Sequence, residues 1–203
     1  MSAELEALYE QIRGCEACGL CKERMQAVPG EGPPNARIMF VGEGPGFHED
    51  QQGRPFVGQA GKFLEAMLAS IGMTRQDVYI ANVVKCRPPG NRDPLPTEVD
   101  SCRPYLLSQI DLIDPDLIVT LGRFSLSWFF PKDAISKVRG RLRQFNGRHF
   151  YHIYHPAAAL HNGSLRSVIE EDFSRIPAAL DRIREHEPVL AAVTTSAEQG
   201  RLF

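Results

Sequence analysis

Long apolar runs are missing from this 203-residue sequence, since none approaches the roughly 18 residues that a membrane span requires. The first residues, MSAELEALYEQIRG, are polar and amphipathic, which excludes the apolar core of a secretory signal. An apolar content of 43% and a charged content of 24% are typical of an ordinary globular protein. We therefore expect a cytoplasmic protein with no membrane partner.

An excess of positive charge is also missing, because the formal net charge is −2. This total argues against a nucleic-acid partner, but binding depends on local patches rather than on the whole chain. One patch, KVRGRLRQFNGRH over residues 137–149, contains five Lys or Arg residues and no acidic residue. It predicts a surface that contacts phosphate, although a solvated charged loop gives the same pattern.

No internal repeat and no linker divide the chain, so we predict one domain over residues 1–185 and a flexible tail over 186–203. Short apolar runs predict strands over 38–41, 78–84, 117–121 and 149–154. Apolar stripes predict helices over 3–14, 57–72 and 165–185, and a further helix from Thr97 that Pro104 kinks or restricts to Tyr105 onward. This alternation predicts a three-layer α/β/α fold with a central, mainly parallel four-stranded sheet.

Ligands of such sheets bind beyond the carboxyl ends of the strands. Three unusual segments, over 42–46, 82–92 and 155–160, fall at the ends of predicted strands and should meet at that edge. In the last of them, His155 is followed by a proline that fixes its position, so the imidazole can face the edge rather than pack in the core.

Two glycine-rich stretches resemble nucleotide-binding motifs without meeting their requirements. In GEGPG, over 42–46, the glycines should lead directly into a helix, but we expect the next helix only near Gly58. In GQAGKF, Phe56 occupies the position of the first P-loop glycine, and Phe63 the position of the magnesium-binding Ser or Thr. A tight structural turn is the simpler interpretation of GEGPG, but Glu43 at a strand end favours a ligand site.

The five cysteines are unevenly spaced, with Cys15, Cys18 and Cys21 close together and Cys86 and Cys102 far downstream. In a reducing compartment this pattern favours metal or cluster ligation over disulfides. Structural zinc usually uses compact pairs in both halves of its site, whereas a four-thiolate iron–sulfur cluster tolerates the wide second pair. By spacing alone, Cys21 competes with Cys18 as a ligand, and five separate buried thiols remain the alternative.

The motifs GEGPG, PFVGQAG, NVVKCRPPGNRDP, CRPYL and YHPAAAL occur in this order. In this combination the sequence resembles the iron–sulfur-containing family 4 uracil-DNA glycosylases over about residues 15–180. The resemblance implies a monomeric DNA repair enzyme that hydrolyses the N-glycosidic bond of uracil in single- and double-stranded DNA. It also implies a 4Fe–4S cluster on Cys15, Cys18, Cys86 and Cys102, which we expect to brace the loop over 87–92 rather than to take part in catalysis.

The resemblance also implies a set of substrate-binding residues: Gly42, Gly44, Phe56, Asn82 and His155. Phe56 would stack on the extruded base, with ordinary core packing as its alternative. The amide of Asn82 can donate to uracil O4 and accept from N3–H, a pattern that cytosine reverses. Glu43 would exclude the methyl group of thymine.

The catalytic residues implied are Glu43, Asn91 and His155. His155 would donate a hydrogen bond to O2 of the departing uracil. The best-known uracil glycosylases position water with an aspartate in the first motif, but this sequence has Gly44 there. Glu43 and Asn91 are therefore the candidates for activating water, and leaving-group stabilisation would carry most of the catalysis.

Related enzymes place an apolar wedge, often leucine, four residues after the motif histidine, where this sequence has Ala159. We assign the wedge to Leu160. The alternative is a weaker wedge and a greater reliance on single-stranded or mismatched DNA. No lysine falls in the predicted site, so we expect a monofunctional enzyme without strand cleavage.

Three other functions fit parts of the pattern. A glycosylase of wider range would also accept hypoxanthine or hydroxymethyluracil. A non-catalytic iron–sulfur protein would bind DNA without needing Asn82 or His155. A nucleotide-binding module would be protected against heat by ATP or NAD.

Overall fold

The computed structural model describes residues 2–185, so the predicted tail over 186–203 lies outside the described residues. Its centre is one sheet of five strands: β1 (Ile38–Gly42), β2 (Tyr79–Asn82), β3 (Leu117–Leu121), β4 (Leu142–Phe145) and β5 (Arg148–Ile153). The strand order is β2-β1-β3-β5-β4, with β4 antiparallel to β5 and every other pair parallel. The α/β class is confirmed. The strand count of four is wrong, because β4 forms an additional antiparallel edge strand.

Helices cover both faces of the sheet: α1 (Ala3–Arg13), α2 (Phe47–Gln52), α3 (Gln59–Ser70), α4 (Pro96–Ile113), α5 (Gly122–Phe129), α6 (Ile135–Val138), α7 (Pro156–His161) and α8 (Ser164–Ser174). Residues 176–185 are also helical after a turn at Arg175, so the predicted helix over 165–185 is interrupted. One apolar cluster packs α1 and α4 on the sheet, and a second packs α3 and α8 on its other face. Within residues 2–185, no helix combines the length and apolarity of a membrane span.

The central strands are apolar along their whole length because both of their faces are covered. Every residue of β1 and of β3 is buried, and Phe40 of β1 lies between Ile80 of β2 and Val119 of β3. The shared direction of β1, β2, β3 and β5 brings their carboxyl ends to one edge of the sheet.

Pro104 lies inside α4, which is continuous from Pro96 to Ile113. The predicted start near Thr97 is therefore confirmed, and the alternative in which the regular helix begins only at Tyr105 is wrong. Glu98 stabilises the early start, because its carboxylate accepts from the backbone N–H of Leu95 at 2.8 Å and from both terminal nitrogens of Arg92. The carboxylate of Glu98 thus satisfies the backbone N–H at the start of the helix. Pro104, further along the same helix, lacks a backbone N–H and so removes one hydrogen bond without ending the helix.

The basic stretch over 137–149 is not a free cationic surface. Three of its five basic residues pair with acids from elsewhere in the chain: Arg139 with Asp172 at 2.7 Å, Arg143 with Asp133, and Arg148 with Asp111 and Asp114. The structure therefore weakens the prediction of a phosphate surface there, because three of the five positive charges already have acidic partners within the protein.

Candidate active site

A cavity of about 390 Å³ opens where the carboxyl ends of the parallel strands meet. The predicted site residues that line it are Glu43, Gly44, Phe56, Asn82, Asn91 and His155. The structure thus brings together side chains that lie more than 100 residues apart in the sequence. Leu160, the predicted wedge, does not line the cavity but lies beside it, 53% exposed in α7, next to His161, which does line it.

The glycines of GEGPG allow neighbouring side chains to pack closely against the end of β1. A Cβ atom on Gly42 would lie 2.4 Å from Oδ1 of Asn82 and 2.8 Å from the ring of Phe56. A Cβ atom on Gly44 would lie 2.7 Å from Cγ2 of Val84. Gly42 therefore leaves the space that Asn82 and Phe56 occupy, although it does not itself line the cavity.

A helix follows GEGPG directly, since α2 begins at Phe47. The prediction that the next helix begins only near Gly58 is wrong. The stretch FHEDQQ carries no apolar stripe, so periodicity could not find it. Instead α2 is fixed by its acidic residues, among them buried Asp50, whose carboxylate accepts from the backbone N–H of Met25 at 3.0 Å.

Phe56 is buried and adopts a left-handed backbone conformation, with φ of 51°. Arg75 holds this turn by donating to the carbonyl oxygens of Phe56 at 2.7 Å and Pro55 at 2.6 Å. Gly61 allows the close approach of α3, because a Cβ atom there would lie 1.9 Å from the Phe56 oxygen. The Phe56 ring stacks near that of His155, with centroids 5.6 Å apart and planes tilted by 30°.

Asn82 ends β2, and its side chain is buried at the cavity. Neither Oδ1 nor Nδ2 has a hydrogen-bond partner among the described residues. Its backbone is fixed, because Nζ of buried Lys85 donates to the Asn82 carbonyl at 2.8 Å and to Oε1 of Gln109 at 2.6 Å. An unpaired buried polar group costs roughly 1–3 kcal/mol, so a ligand that pairs with both amide atoms would recover a substantial free energy.

His155 precedes α7, and its Nδ1 accepts a hydrogen bond from the backbone N–H of Ala157 at 3.1 Å. The neutral ring therefore carries its proton on Nε2, which makes that atom a donor. Burial lowers the pKa of His155 to about 4, against the opposing influence of the Glu49 carboxylate. Near neutral pH, His155 is thus an uncharged hydrogen-bond donor at the cavity.

Glu49 is a cavity residue that the sequence reasoning missed. Its Oε1 accepts from the backbone N–H groups of Val57 and Gly58, both at 2.8 Å. Glu49 therefore ties α2 to the segment that carries Phe56. Arg75 was missed for the same reason: both side chains bind backbone atoms of a loop whose path only the fold determines.

The two residues proposed for water activation lie in different environments. Burial raises the pKa of Glu43, and the charge of Asp93 raises it further, while Arg123 opposes the rise. Asn91 has a left-handed backbone with φ of 56°, and its Oδ1 accepts from Nε of Arg87 at 2.7 Å. Glu43 can therefore take up a proton more readily than an exposed glutamate, whereas Asn91 is held as a fixed polar group.

The lowered pKa of His155 predicts a loss of stability in acid. The unfolded residue titrates near its ordinary value of about 6.5, so the unfolded chain binds more protons between that pH and about 4. Stability is therefore full above this window and falls as the pH falls through it. As the pH is lowered from about 7.5 to about 4.5, we expect the melting temperature of His155→Gln to fall less than that of the wild type.

Thermal unfolding followed by circular dichroism at several pH values measures this difference. His152, whose pKa burial also lowers to about 4, remains in both proteins, so the comparison isolates His155. Parallel loss of melting temperature in the two proteins would contradict the assignment of a depressed pKa to His155.

A second cavity gathers all five cysteines: Cys15, Cys18, Cys21, Cys86 and Cys102. They come from the segment after α1, from the loop after β2 and from α4, and all are free thiols. Donors face the sulfurs, since Arg24 donates to Sγ of Cys86 at 3.0 Å and the Ala17 N–H to Sγ of Cys15 at 3.4 Å. Arg24 is itself anchored to the carbonyl of Arg13 at 2.8 Å.

The thiols and the N–H donors that face them are compatible with an iron–sulfur cluster. Within residues 2–185, no group of three His, Cys, Asp or Glu side chains is arranged to hold one metal ion. A zinc ion binds its thiolates at about 2.3 Å and so requires the sulfurs to be close together. A four-iron cluster binds each thiolate through a different iron, so its ligands need not lie as close together as those of a zinc ion.

Comparison with known proteins gives consistent matches over most of the chain. The family described as the uracil DNA glycosylase superfamily matches residues 29–176. The type-4 uracil-DNA glycosylase of Sulfurisphaera tokodaii is 50% identical over 182 residues, covering 85% of this chain and 83% of the relative. The type-4 enzymes of Archaeoglobus fulgidus and Thermotoga maritima are each 47% identical, covering 85% and 84% of this chain and 91% and 92% of the relatives.

Proposed function

The chain belongs to the type-4 enzymes of the uracil DNA glycosylase superfamily, and we propose that it removes uracil from single- and double-stranded DNA by hydrolysis of the N-glycosidic bond. The observation that carries the proposal is the buried amide of Asn82, which has both hydrogen-bonding atoms unpaired within the described residues and faces a cavity. A buried amide without hydrogen-bond partners destabilises the free protein. It binds selectively the ligand whose donor and acceptor match its own.

Recognition of uracil follows from this amide. Nδ2 of Asn82 donates to uracil O4, and Oδ1 accepts from N3–H. Cytosine presents an amino group and an unprotonated nitrogen at these positions, so both contacts would become repulsive or unpaired. Phe56 stacks on the base, and Glu43 excludes the methyl group that distinguishes thymine.

Bond cleavage places negative charge on the departing base, chiefly on O2. The neutral imidazole of His155 donates to this oxygen from Nε2, and its orientation is already fixed by the Ala157 N–H. A donor preorganised in this way stabilises the developing charge without reorganisation. Glu43 accepts the proton of the attacking water, and the amide of Asn91 orients that water by hydrogen bonding. No lysine in the described part of the chain lines this cavity, so we propose a monofunctional enzyme.

A base in duplex DNA must leave the stack to reach the cavity, at a cost of a few kcal/mol. We propose that Leu160, exposed beside the cavity in α7, fills the space that the base vacates. Because one chain completes the cavity, we propose that the enzyme acts on uracil-containing DNA as a monomer.

We also propose that Cys15, Cys18, Cys86 and Cys102 hold a 4Fe–4S cluster. When bound, the cluster cross-links three segments of the chain and braces the loop that carries Asn91. The reacting groups belong to the other cavity, where Asn82 and His155 lie, so the cluster's contribution is structural.

Replacing a cluster ligand is expected to remove the visible iron–sulfur absorption and to lower the melting temperature. We predict this result for Cys86→Ser, because Cys86 is buried and links β2 to the cluster. Cys21→Ser is the matched control, which should retain both the absorption and the iron content. Loss of iron from the Cys21 variant but not from a Cys18→Ser variant would reverse the assignment of these two residues.

A single-turnover assay on an oligonucleotide with one uracil tests the function directly. We expect a free uracil base and an intact abasic strand, from both single-stranded DNA and a U:G duplex. Excision from hypoxanthine or T:G duplexes at comparable rates would show a broader specificity. DNA binding without any base release would favour a non-catalytic binding protein.

A further inference from the structure

An exposed aromatic side chain lies at the rim of the proposed active site. Phe47 is the first residue of α2 and follows Gly46, which lines the cavity. Its side chain is 47% exposed. Among the described residues, the one ring that contacts Phe47 is the neighbouring His48, at nearly right angles and with centroids 5.5 Å apart, so no other aromatic ring covers its exposed surface.

A cation holds this ring at the rim. The guanidinium of Arg87 lies 5.1 Å from the centroid of the Phe47 ring, and its Nε donates to Oδ1 of Asn91 at 2.7 Å. Asn91 in turn lines the cavity. Arg87 thus connects the ring of Phe47, in the segment after β1, to Asn91 at the cavity, in the segment after β2.

These two side chains have the chemistry that recognises single-stranded nucleic acid. Every base presents a π-face on which an aromatic ring can stack regardless of sequence, and arginine binds the phosphate beside it. Leu160 occupies another part of the same rim, on α7.

We propose that Phe47 stacks on a nucleotide next to the extruded uracil, and that Arg87 positions the ring and contacts the adjoining phosphate. This inference rests on the proposed function. The contact holds the flanking strand outside the cavity, so it acts on substrate binding, while Asn82 and His155 act on the base within.

Phe145 provides a matched control. It is 46% exposed, almost the same as Phe47, but it pairs with Arg148 at the start of β5, at the end of the sheet opposite to His155. Removing it therefore deletes an equally exposed aromatic ring that is remote from the cavity.

Steady-state and single-turnover kinetics on single-stranded uracil DNA test the proposal. We expect Phe47→Ala to raise KM on the order of tenfold, with the saturated single-turnover rate changed by less than about threefold, because only stacking outside the cavity is lost. Phe47→Trp should restore a KM at or below that of the wild type, while Phe145→Ala should leave both parameters unchanged. Arg87→Gln should raise KM and weaken the dependence of binding on salt.

If Phe47→Ala has the same KM as Phe145→Ala while the wild type excises uracil, the stacking contact does not exist and the proposed function stands. If the wild type releases no uracil from this substrate, the proposed function fails and this inference fails with it. A 2-aminopurine placed next to the uracil gives an independent readout, since its fluorescence should fall on binding to the wild type and fall less with Phe47→Ala.

Discussion

Asn82→Ala is expected to reduce the single-turnover rate of uracil excision by about 10²–10³-fold, because the variant loses both hydrogen bonds to the uracil edge as charge develops on the base. The loss should appear in the saturated rate as well as in KM, since these hydrogen bonds strengthen in the transition state. Rapid-quench measurements on a single-stranded uracil oligonucleotide would determine both parameters.

The same substitution should not destabilise the folded protein through lost hydrogen bonds. Oδ1 and Nδ2 of Asn82 have no partners among the described residues, so removing them relieves a desolvation cost while leaving the backbone contact from Lys85 in place. We expect a melting temperature equal to or above that of the wild type, apart from the effect of a small cavity. An active Asn82→Ala enzyme would contradict the recognition scheme, and an inactive but strongly destabilised one would point to a structural role instead.

The strands that the sequence predicted most clearly are those in which every residue is buried. The strands β1 and β3 are covered on both faces, so their residues are uniformly apolar and identify them directly. Strand β4 was missed because it lies at the sheet edge, where Arg143 and Gln144 replace the apolar pattern. Strand β4 forms because it pairs with β5, and this pairing cannot be predicted from the residues of β4 alone.

The candidate site could be located from residue types and strand ends, but its supporting contacts could not. Asn82 lies near the end of the second predicted strand and His155 directly follows the fourth, so topology alone places them at one edge. Glu49 and Arg75 act by binding backbone atoms around Phe56, and that geometry arises only when α2, α3 and the turn between them are packed. Sequence periodicity carries no information about such contacts.

His155→Ala is expected to lower the saturated single-turnover rate by about 10²–10³-fold with little change in KM, because the Nε2 donor acts mainly on charge that develops during bond cleavage. His149→Ala is the matched control, since His149 lies near the opposite end of β5. We expect that variant to retain wild-type kinetics.

The leaving group provides a sharper test of the role assigned to His155. 5-Fluorouracil departs as a more stable anion than uracil and so requires less help from a hydrogen-bond donor. If His155 stabilises negative charge on O2, the rate lost in His155→Ala should be smaller for DNA containing 5-fluorouracil than for DNA containing uracil. An equal loss with both bases would show that His155 acts in another way, for example by positioning the base or the Phe56 ring that it faces at 5.6 Å.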